Sequence, residues 1–282
     1  MLLIDDKKEL QALLRDWRDA GDHIALVPTM GNLHVGHVSL VEIAKQNAER
    51  VIVTVFVNPT QFVEGEDFEE YPRTPERDTR RLKQIQSDVM FAPSVDTVYP
   101  FGLEQATQVT VPYLTDNFCG TFRPGHFDGV TTVVARLFAL VQPEVAVFGQ
   151  KDYQQQLVIR RMVEDLNVPV DIITAPTVRE DDGLAMSSRN AYLSDDERAT
   201  APMLYQTLVS IGDALQDGQR DYAKLEKDAS KSLNVAGFKV EYVAIRRAAD
   251  LSEPDRDCDE IVVLVAAGLG QARLIDNIVV TI

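Results

Sequence analysis

Cysteine is almost absent from this chain, which has 282 residues and two cysteines, Cys119 and Cys258. They lie far apart in the sequence and form no CxxC pair. Neither a disulfide framework nor a structural zinc site can be built around them. We therefore expect two free thiols in a reducing compartment.

Long apolar runs are also missing. The longest, over residues 130–141, is interrupted by Arg136 and is too short to span a bilayer. The N-terminal sequence MLLIDDKKEL places acidic residues where a signal peptide carries a basic region and then an apolar core. A composition of 45% hydrophobic and 26% charged residues is typical of a globular protein. We expect a soluble cytoplasmic protein without a membrane partner.

Basic residues are too few to balance the acidic ones. The chain has 28 Lys and Arg residues and 44 Asp and Glu residues, which gives a net charge of −16. The acidic excess extends over both halves of the chain. A basic surface for the phosphates of a nucleic acid is therefore not expected. Histidine is rare as well, with four residues, and three of them fall in the polar segments considered below.

Strand and helix patterns alternate through the first part of the chain. The β-branched run RVIVTVFVNP predicts a strand that is buried on both faces. Thr74 and Pro75 predict the N-cap and first residue of a later helix. The other expected strands are HIALVPTM, DVMFAP, EVAVFG and VDIITAPTV, and the other expected helices are 7–19, 34–49, FDGVTTVVARLFALVQ and YQQQLVIRRMVEDLN. This alternation predicts an α/β fold with a mostly parallel, doubly wound sheet that binds ligands at the carboxyl ends of its strands.

The pattern changes after about residue 178. A polar loop, REDDGLAMSSRN, precedes two expected helices at 195–217 and 222–235, and three β-rich segments end the chain. Helices followed by consecutive strands are typical of an α+β domain. We predict a nucleotide- and substrate-binding domain over residues 1–177 and a smaller C-terminal α+β domain over residues 178–282.

The sequence PTMGNLHVGH, where the first core strand passes into a helix, is the strongest chemical signal. His34 and His37 are three residues apart and so share one face of the first helical turn. The N–H groups and the positive dipole end of that turn attract phosphate. Small residues at Gly31 and Gly36 allow a nucleotide to approach the backbone. The alternative is a helix start with two surface histidines.

Two further segments carry polar groups at expected strand ends, and a third lies in the polar loop between the two predicted domains. VNPTQF offers the amides of Asn58 and Gln61 beside the ring of Phe62, which suits a small polar molecule with an apolar body, although it could equally be a simple turn. In FGQKDYQQ, Lys151 can reach a phosphate, while Asp152 could bind ribose or cap a helix. MSSRN joins two hydroxyls to a guanidinium, a phosphate-binding combination that also occurs in ordinary capping loops.

Together, PTMGNLHxGH, VNPxQF, YPRT, RPGHFxGV, FGxKDxQQ, SSRN and AAxLGxxRLIDN resemble the pantothenate synthetase family, over about residues 24–278. HxGH is shared by a wider superfamily of adenylyl-transferring enzymes, whereas its combination with VNPxQF and KDxQQ is specific. The resemblance implies an ATP-dependent ligase that joins pantoate to β-alanine through a pantoyl adenylate and releases AMP and pyrophosphate. It also implies a Rossmann-like domain, a C-terminal lid domain, Mg²⁺ dependence and a homodimer.

The resemblance further implies roles for individual residues. The expected ATP-binding residues are Met30, Gly31, Asn32, Leu33, His34, Val35, Gly36, His37, Gly149, Gln150, Lys151, Asp152, Val178, Met186, Ser187, Ser188 and Arg189. Among them, His34, His37, Lys151 and Arg189 are the expected catalytic residues. Pantoate would contact Gln61, Gln155, Met30 and Phe62, and β-alanine would contact Gln61, Asn58, Arg123 and His126. Asp78 is expected to support the β-alanine side, and no metal ligand is assigned.

The chain departs from the family pattern at a few positions, including Val35, Gln150 and Gly268, none of which is assigned chemistry through its side chain. Two other functions are compatible with HxGH. One is a nucleotidyltransferase that acts on a phosphorylated substrate, and the other is a nucleotide-binding protein without catalysis. The first would need more cationic residues near its acceptor than VNPTQF supplies.

Overall fold

The computed structural model describes residues 1–255 and 258–282, whose contacts divide into two compact units. The first unit comprises Met1–Gly149 and Val158–Pro176, and the second comprises Gln150–Leu157 and Thr177–Ile282. The division at Pro176–Thr177 lies beside the boundary predicted at residue 177. The segment Gln150–Leu157, which the prediction assigned to the first domain, has its contacts in the second unit.

The first unit is built on a six-stranded sheet with the order β1-β4-β3-β2-β5-β6, in which every neighbouring pair is parallel. Its strands are β1 (Leu2–Ile4), β2 (Ile24–Thr29), β3 (Arg50–Val55), β4 (Val89–Phe91), β5 (Val145–Gly149) and β6 (Asp171–Ala175). The central strands are apolar and buried because helices cover both faces of the sheet. The predicted α/β fold class is confirmed, and β1 is an edge strand that the sequence pattern did not predict.

The helices of this unit are α1 (Lys7–Ala20), α2 (Val35–Asn47), α3 (Pro75–Gln84), α4 (Val95–Val98), α5 (Cys119–Phe122) and α6 (His126–Val141). A further helix, α7 (Tyr153–Asp165), is shared, because its residues up to Leu157 belong to the second unit and those from Val158 belong to the first. Helix α1 starts because the Asp6 carboxylate accepts the N–H groups of Lys8 and Glu9, and it ends at Gly21 with a φ of 86°. Among the described residues, no helix is both long enough and apolar enough to cross a membrane.

Strand order reverses between β2 and β5. From β2 the chain continues to β3 and β4 on one side, whereas β5 and β6 lie on the other. Sheets of this kind bind ligands in the crevice at the carboxyl ends of the two strands that flank such a reversal. In this sheet, those ends are Thr29, directly before the HxGH segment, and Gly149.

The second unit, within its described residues, combines helices with an antiparallel sheet of order β7-β8-β9. Its elements are α8 (Asp195–Thr200), α9 (Met203–Gln216), α10 (Tyr222–Val235), β7 (Lys239–Arg247), β8 (Glu260–Leu269) and β9 (Ala272–Thr281). The prediction of one helix over residues 195–217 is wrong. Two helices form instead, because Pro202 lacks the N–H that a continuous helix would need there.

Cys119 and Cys258 are both free and buried, which confirms the prediction of free thiols.

Candidate active site

The segment between β2 and α2 is a tight turn that runs from Met30 to His34. Gly31 has a φ of 84°, and a Cβ at this position would lie 2.9 Å from Val55 Cγ1 and 3.1 Å from Asp78 Oδ2. A side chain would therefore meet both an unfavourable backbone conformation and a crowded space, which is why glycine is required. The turn places the N-terminus of α2, a favourable environment for an anion, directly after the carboxyl end of β2.

The two histidines are oriented by the backbone of this turn. Nδ1 of His34 accepts the N–H of Gly36 at 3.1 Å, and Nδ1 of His37 accepts the N–H of His34 at 3.2 Å. The ring centroids are 4.0 Å apart. Because a backbone N–H can only donate, each neutral ring carries its proton on Nε2. The edge that each ring can offer as a donor is therefore Nε2–H.

Asp78 holds the turn from α3. Its side chain is buried, with 0% exposure. Oδ2 accepts the N–H of Asn32 at 2.9 Å, Oδ1 accepts the N–H of Leu33 at 2.8 Å, and the Thr74 hydroxyl donates to Oδ1 at 3.2 Å. Thr74 is the N-cap residue of α3 as predicted, but its side chain bonds to Asp78 instead of capping the helix. Asp78 thus supports the HxGH turn, and its expected role near the β-alanine side stays a prediction.

A 3₁₀ turn, Pro59–Gln61, follows β3, and Asn58 fixes it from within the protein. Asn58 is 0% exposed, and its Nδ2 donates to the Gly129 carbonyl at 3.1 Å and to Gln61 Oε1 at 3.2 Å. Its Oδ1 accepts the Tyr99 hydroxyl at 2.7 Å. Burial raises the pKa of Tyr99, so this hydroxyl stays protonated and continues to donate. These contacts give Asn58 a supporting role inside the fold.

Gln61 and Met30, both expected to bind pantoate, are in contact with each other. Gln61 Nε2 lies 3.0 Å from Met30 Sδ. Phe62 follows in the chain and packs edge to face on Phe68 and Tyr71, with centroid distances of 5.2 and 5.8 Å. An amide, a thioether and an aromatic ring are thus grouped at the carboxyl ends of β2 and β3, which suits a ligand with both polar and apolar parts.

Arg123 and His126, the predicted β-alanine contacts, are linked to Gln61 through a chain of internal hydrogen bonds. Arg123 pairs with Glu66 at 2.5 and 2.7 Å and donates to His126 Nε2 at 2.8 Å. Because arginine has no acceptor, His126 accepts at Nε2 and donates from Nδ1 to the Gln61 carbonyl at 2.6 Å. Burial opposes ionisation of Glu66, but its bonds to Arg123 prevail and lower the pKa of the carboxyl.

In the second unit, a 3₁₀ turn, Gln150–Asp152, carries Lys151 into the start of α7. Lys151 lines a cavity together with Ser187 and Asp276. Gln155 is partly exposed, whereas the flanking glutamines Gln154 and Gln156 are buried. The contact between Gln155 and pantoate stays a prediction.

The polar loop over residues 178–190 folds back so that its two ends are hydrogen-bonded to each other. Met186 donates its N–H to the Val178 carbonyl at 2.9 Å, and Arg179 bridges to Ala185. Ser187 then begins a short 3₁₀ turn, Ser188–Tyr192, by accepting the Arg189 N–H at 3.2 Å. The expected nucleotide contacts Val178 and Met186–Arg189 therefore share one short hairpin-like segment.

The expected residues thus fall into two sets. The first unit contains Met30–His37, Asn58, Gln61, Phe62, Arg123, His126 and Gly149, and the second contains Gln150, Lys151, Asp152, Gln155, Val178 and Met186–Arg189. Sequence reasoning missed the supporting residues Glu66, Arg179, Asp276 and Asn277. Asp276 and Asn277 did lie in a recognised segment, RLIDN, but nothing in their local pattern indicated a role.

Comparison with known proteins now identifies the family. A family model described as pantoate-beta-alanine ligase matches residues 2–279. Pantothenate synthetase from Methylococcus capsulatus is 52% identical over 282 residues, which cover 100% of this chain and 99% of the relative.

Solved structures give the same result. Pantothenate synthetase from Thermus thermophilus aligns with a TM-score of 0.92 and 45% identity over 99% of each chain. Pantoate-beta-alanine ligase from Francisella tularensis, complexed with beta-gamma ATP and beta-alanine, aligns with a TM-score of 0.83 and 33% identity over 99% of this chain and 97% of that one. The chain belongs to the pantoate-beta-alanine ligase family.

Proposed function

We propose that this protein condenses pantoate with β-alanine, with cleavage of ATP to AMP and pyrophosphate. A pantoate carboxylate oxygen attacks the α-phosphorus while the bond to the bridging oxygen of the β-phosphate breaks, and pyrophosphate leaves. The amine of β-alanine then attacks the acyl carbon of the adenylate, the acyl C–O bond breaks, and AMP leaves. The nitrogen loses a proton, and the products are pantothenate and AMP.

The orientation of the two histidines carries this proposal. Both rings turn Nδ1 toward backbone N–H groups, so Nε2–H is the donor edge of each ring, and we assign both donors to a phosphate at the start of α2. If His37 were protonated, Nδ1–H would face the His34 N–H, donor against donor. We therefore assign His37 the role of a neutral hydrogen-bond donor to the leaving phosphate, in preference to that of a proton donor.

The acid is assigned to the group formed by Gln61, Met30 and Phe62. The Gln61 amide suits the hydroxyl and carboxylate of pantoate, and the thioether and ring suit its methyl groups. We retain Gln61 for β-alanine as well. Asn58, Arg123 and His126 are reassigned as supports of Gln61, because their polar atoms are used in bonds inside the protein.

Catalysis in this scheme consists of positioning and electrostatic stabilisation. Both reactants are nucleophiles already, so no covalent enzyme intermediate is needed. The barrier comes from bringing anions together and from the negative charge that develops as the P–O bond breaks. Lys151 and Arg189, assigned to the nucleotide phosphates, counter this charge with His34 and His37.

Magnesium fits this assignment as a partner of the nucleotide. Among the described residues, no group of three or more His, Cys, Asp or Glu side chains could hold a metal. Mg²⁺ is usually held by substrate phosphates with one or two carboxylates, and so needs no such group. When bound, it would supply charge neutralisation of the triphosphate, and Asp152 is the carboxylate nearest in sequence to Lys151.

Exchange of labelled pyrophosphate into ATP tests the proposal. We expect exchange that depends on pantoate, and a decrease of about 10²–10³-fold in each of His37→Ala and Lys151→Ala, the usual effect of removing one preorganised donor. His23→Ala and Lys224→Ala are the matched controls, since both side chains are exposed and pair with the surface carboxylates of Glu49 and Asp228.

Other outcomes would support a different function. Exchange that depends on a phosphate ester instead of pantoate would indicate a nucleotidyltransferase. Nucleotide binding without exchange for any acid would indicate a binding protein. Full activity in both His37→Ala and Lys151→Ala would overturn the assignment of these residues to the site.

A further inference from the structure

Asn277, on β9, is a buried polar residue that no part of the proposed reaction uses. It is 2% exposed. Its Nδ2 donates to the Gln150 carbonyl and to the Lys151 carbonyl, both at 2.9 Å. Gln150 Nε2 in turn lies 3.5 Å from Asn277 Oδ1. One side-chain amide thus uses both of its N–H groups to hold two consecutive peptide units of the turn that bears Lys151.

Asn277 is itself held in place by its neighbour in the strand. Asp276 Oδ1 accepts the Asn277 N–H at 2.7 Å, and the Asp276 carboxylate forms a two-point ion pair with Arg179 at 2.6 and 2.9 Å. Arg179 also donates to the Asn277 carbonyl at 3.3 Å and stacks on the Tyr205 ring at 3.7 Å. Burial raises the pKa of Asp276, and the Arg179 guanidinium opposes that rise.

The position of the turn matters because lysine is a point charge on a flexible stem. The ammonium group, unlike the planar guanidinium of arginine, does not fix its own orientation toward a phosphate. The position of the lysine backbone therefore decides where the charge can reach. The carbonyls of Gln150 and Lys151 belong to a short 3₁₀ turn. A strand paired along its whole length with β8 is a rigid support for such a turn.

We propose that Asn277 is a positioning residue for Lys151, which places the lysine ammonium for phosphate by fixing the two peptide units around it. The proposal rests on the proposed function of Lys151 as a phosphate contact. It differs from general stabilisation in one respect: the effect of Asn277 on the reaction should pass through Lys151.

The test is a double-mutant cycle on pyrophosphate exchange with Asn277→Asp and Lys151→Ala. Aspartate has the shape of asparagine but presents an oxygen to both carbonyls, so the turn must move. Displacement of about 1 Å costs on the order of 10²-fold in rate, and we expect that loss in kcat/KM for ATP. In the double variant we expect no more than about a twofold loss beyond Lys151→Ala, because the positioned group is already absent. Asn277→Ala serves the same cycle if Asn277→Asp does not fold.

A control separates positioning from stability. Val263, on β8, is 0% exposed in the core of the same unit, and Val263→Ala should lower Tm without changing kcat/KM for ATP. Equal rate losses in Val263→Ala and Asn277→Asp at matched Tm would overturn the proposal. So would independent, multiplicative effects of Asn277→Asp and Lys151→Ala, or normal kcat/KM in Asn277→Asp. Normal activity in Lys151→Ala alone would instead refute the proposed function of the lysine.

Discussion

Gly129 is a helical glycine whose replacement tests how the Pro59–Gln61 turn is held. A Cβ at this position of α6 would lie 2.2 Å from the Thr60 carbonyl oxygen and 2.6 Å from the Gln61 nitrogen. These are backbone atoms and cannot rotate away. The closest of these distances must grow from 2.2 Å to at least 3.4 Å, the start of ordinary contact, so Gly129→Ala forces the helix and the turn apart by about 1 Å.

The displacement acts on both stability and catalysis. Overpacking of this kind costs about 1–3 kcal/mol, against which the higher helix propensity of alanine returns about 0.5–1 kcal/mol. The separation also stretches the bond from Asn58 Nδ2 to the Gly129 carbonyl. Because Gln61 moves with its turn, we expect kcat/KM for pantoate to fall on the order of 10²-fold. KM for ATP should change by less than about threefold, since Asp78 holds the HxGH turn independently.

Gly212→Ala is the matched control. Gly212 also lies in a helix, α9, but a Cβ there would meet only side-chain carbons, Ile278 Cδ1 at 2.9 Å and Val280 Cγ2 at 3.5 Å, which can move aside. We expect Gly212→Ala to be close to neutral in both thermal unfolding and steady-state kinetics. If Gly129→Ala has the Tm and the pantoate kcat/KM of the parent, the turn is not held by this close approach, and the argument for Gln61 is wrong.

Two other predictions concern carboxylates, of which that of Asp78 is buried and that of Glu66 is partly buried. Asp78→Asn should lower the free energy of unfolding by about 1–3 kcal/mol in denaturant titrations, because one of the N–H groups of Asn32 and Leu33 then faces an amide donor; unchanged stability with unchanged KM for ATP would contradict the role of Asp78. Glu66 has a lowered pKa, so its ion pair with Arg123 contributes stability above the ordinary pKa of about 4.5, and that stability is lost as the pH falls through the lowered value. The Tm difference between the parent and Glu66→Gln should therefore be largest at pH 6–7 and should shrink as the pH falls below about 4.5 toward the lowered pKa. A Tm difference that does not vary with pH would refute this interpretation.

Some candidate site residues could be predicted from the sequence more fully than others. The HxGH turn was predicted because its determinants are local: a buried strand, a glycine with positive φ and a helix start follow one another in the chain. Roles for Asn58, Arg123 and His126 were implied by the family resemblance. The structure directs them into bonds with Gly129, Glu66 and Gln61, which no local pattern indicates.

The sequence alone determined the α/β class, the alternation of strands and helices that gives a parallel sheet, and the positions of the turns that bear the candidate site residues. Periodicity, β-branching and turn residues act over a few neighbours, and all of them are visible in the chain. Only the tertiary structure decided which polar side chains support others. Asn277 bonds to a turn 127 residues away, and Asp78 to one 46 residues away. Such a pairing is set by how distant segments pack, since a buried polar group must find its partner wherever the fold places one.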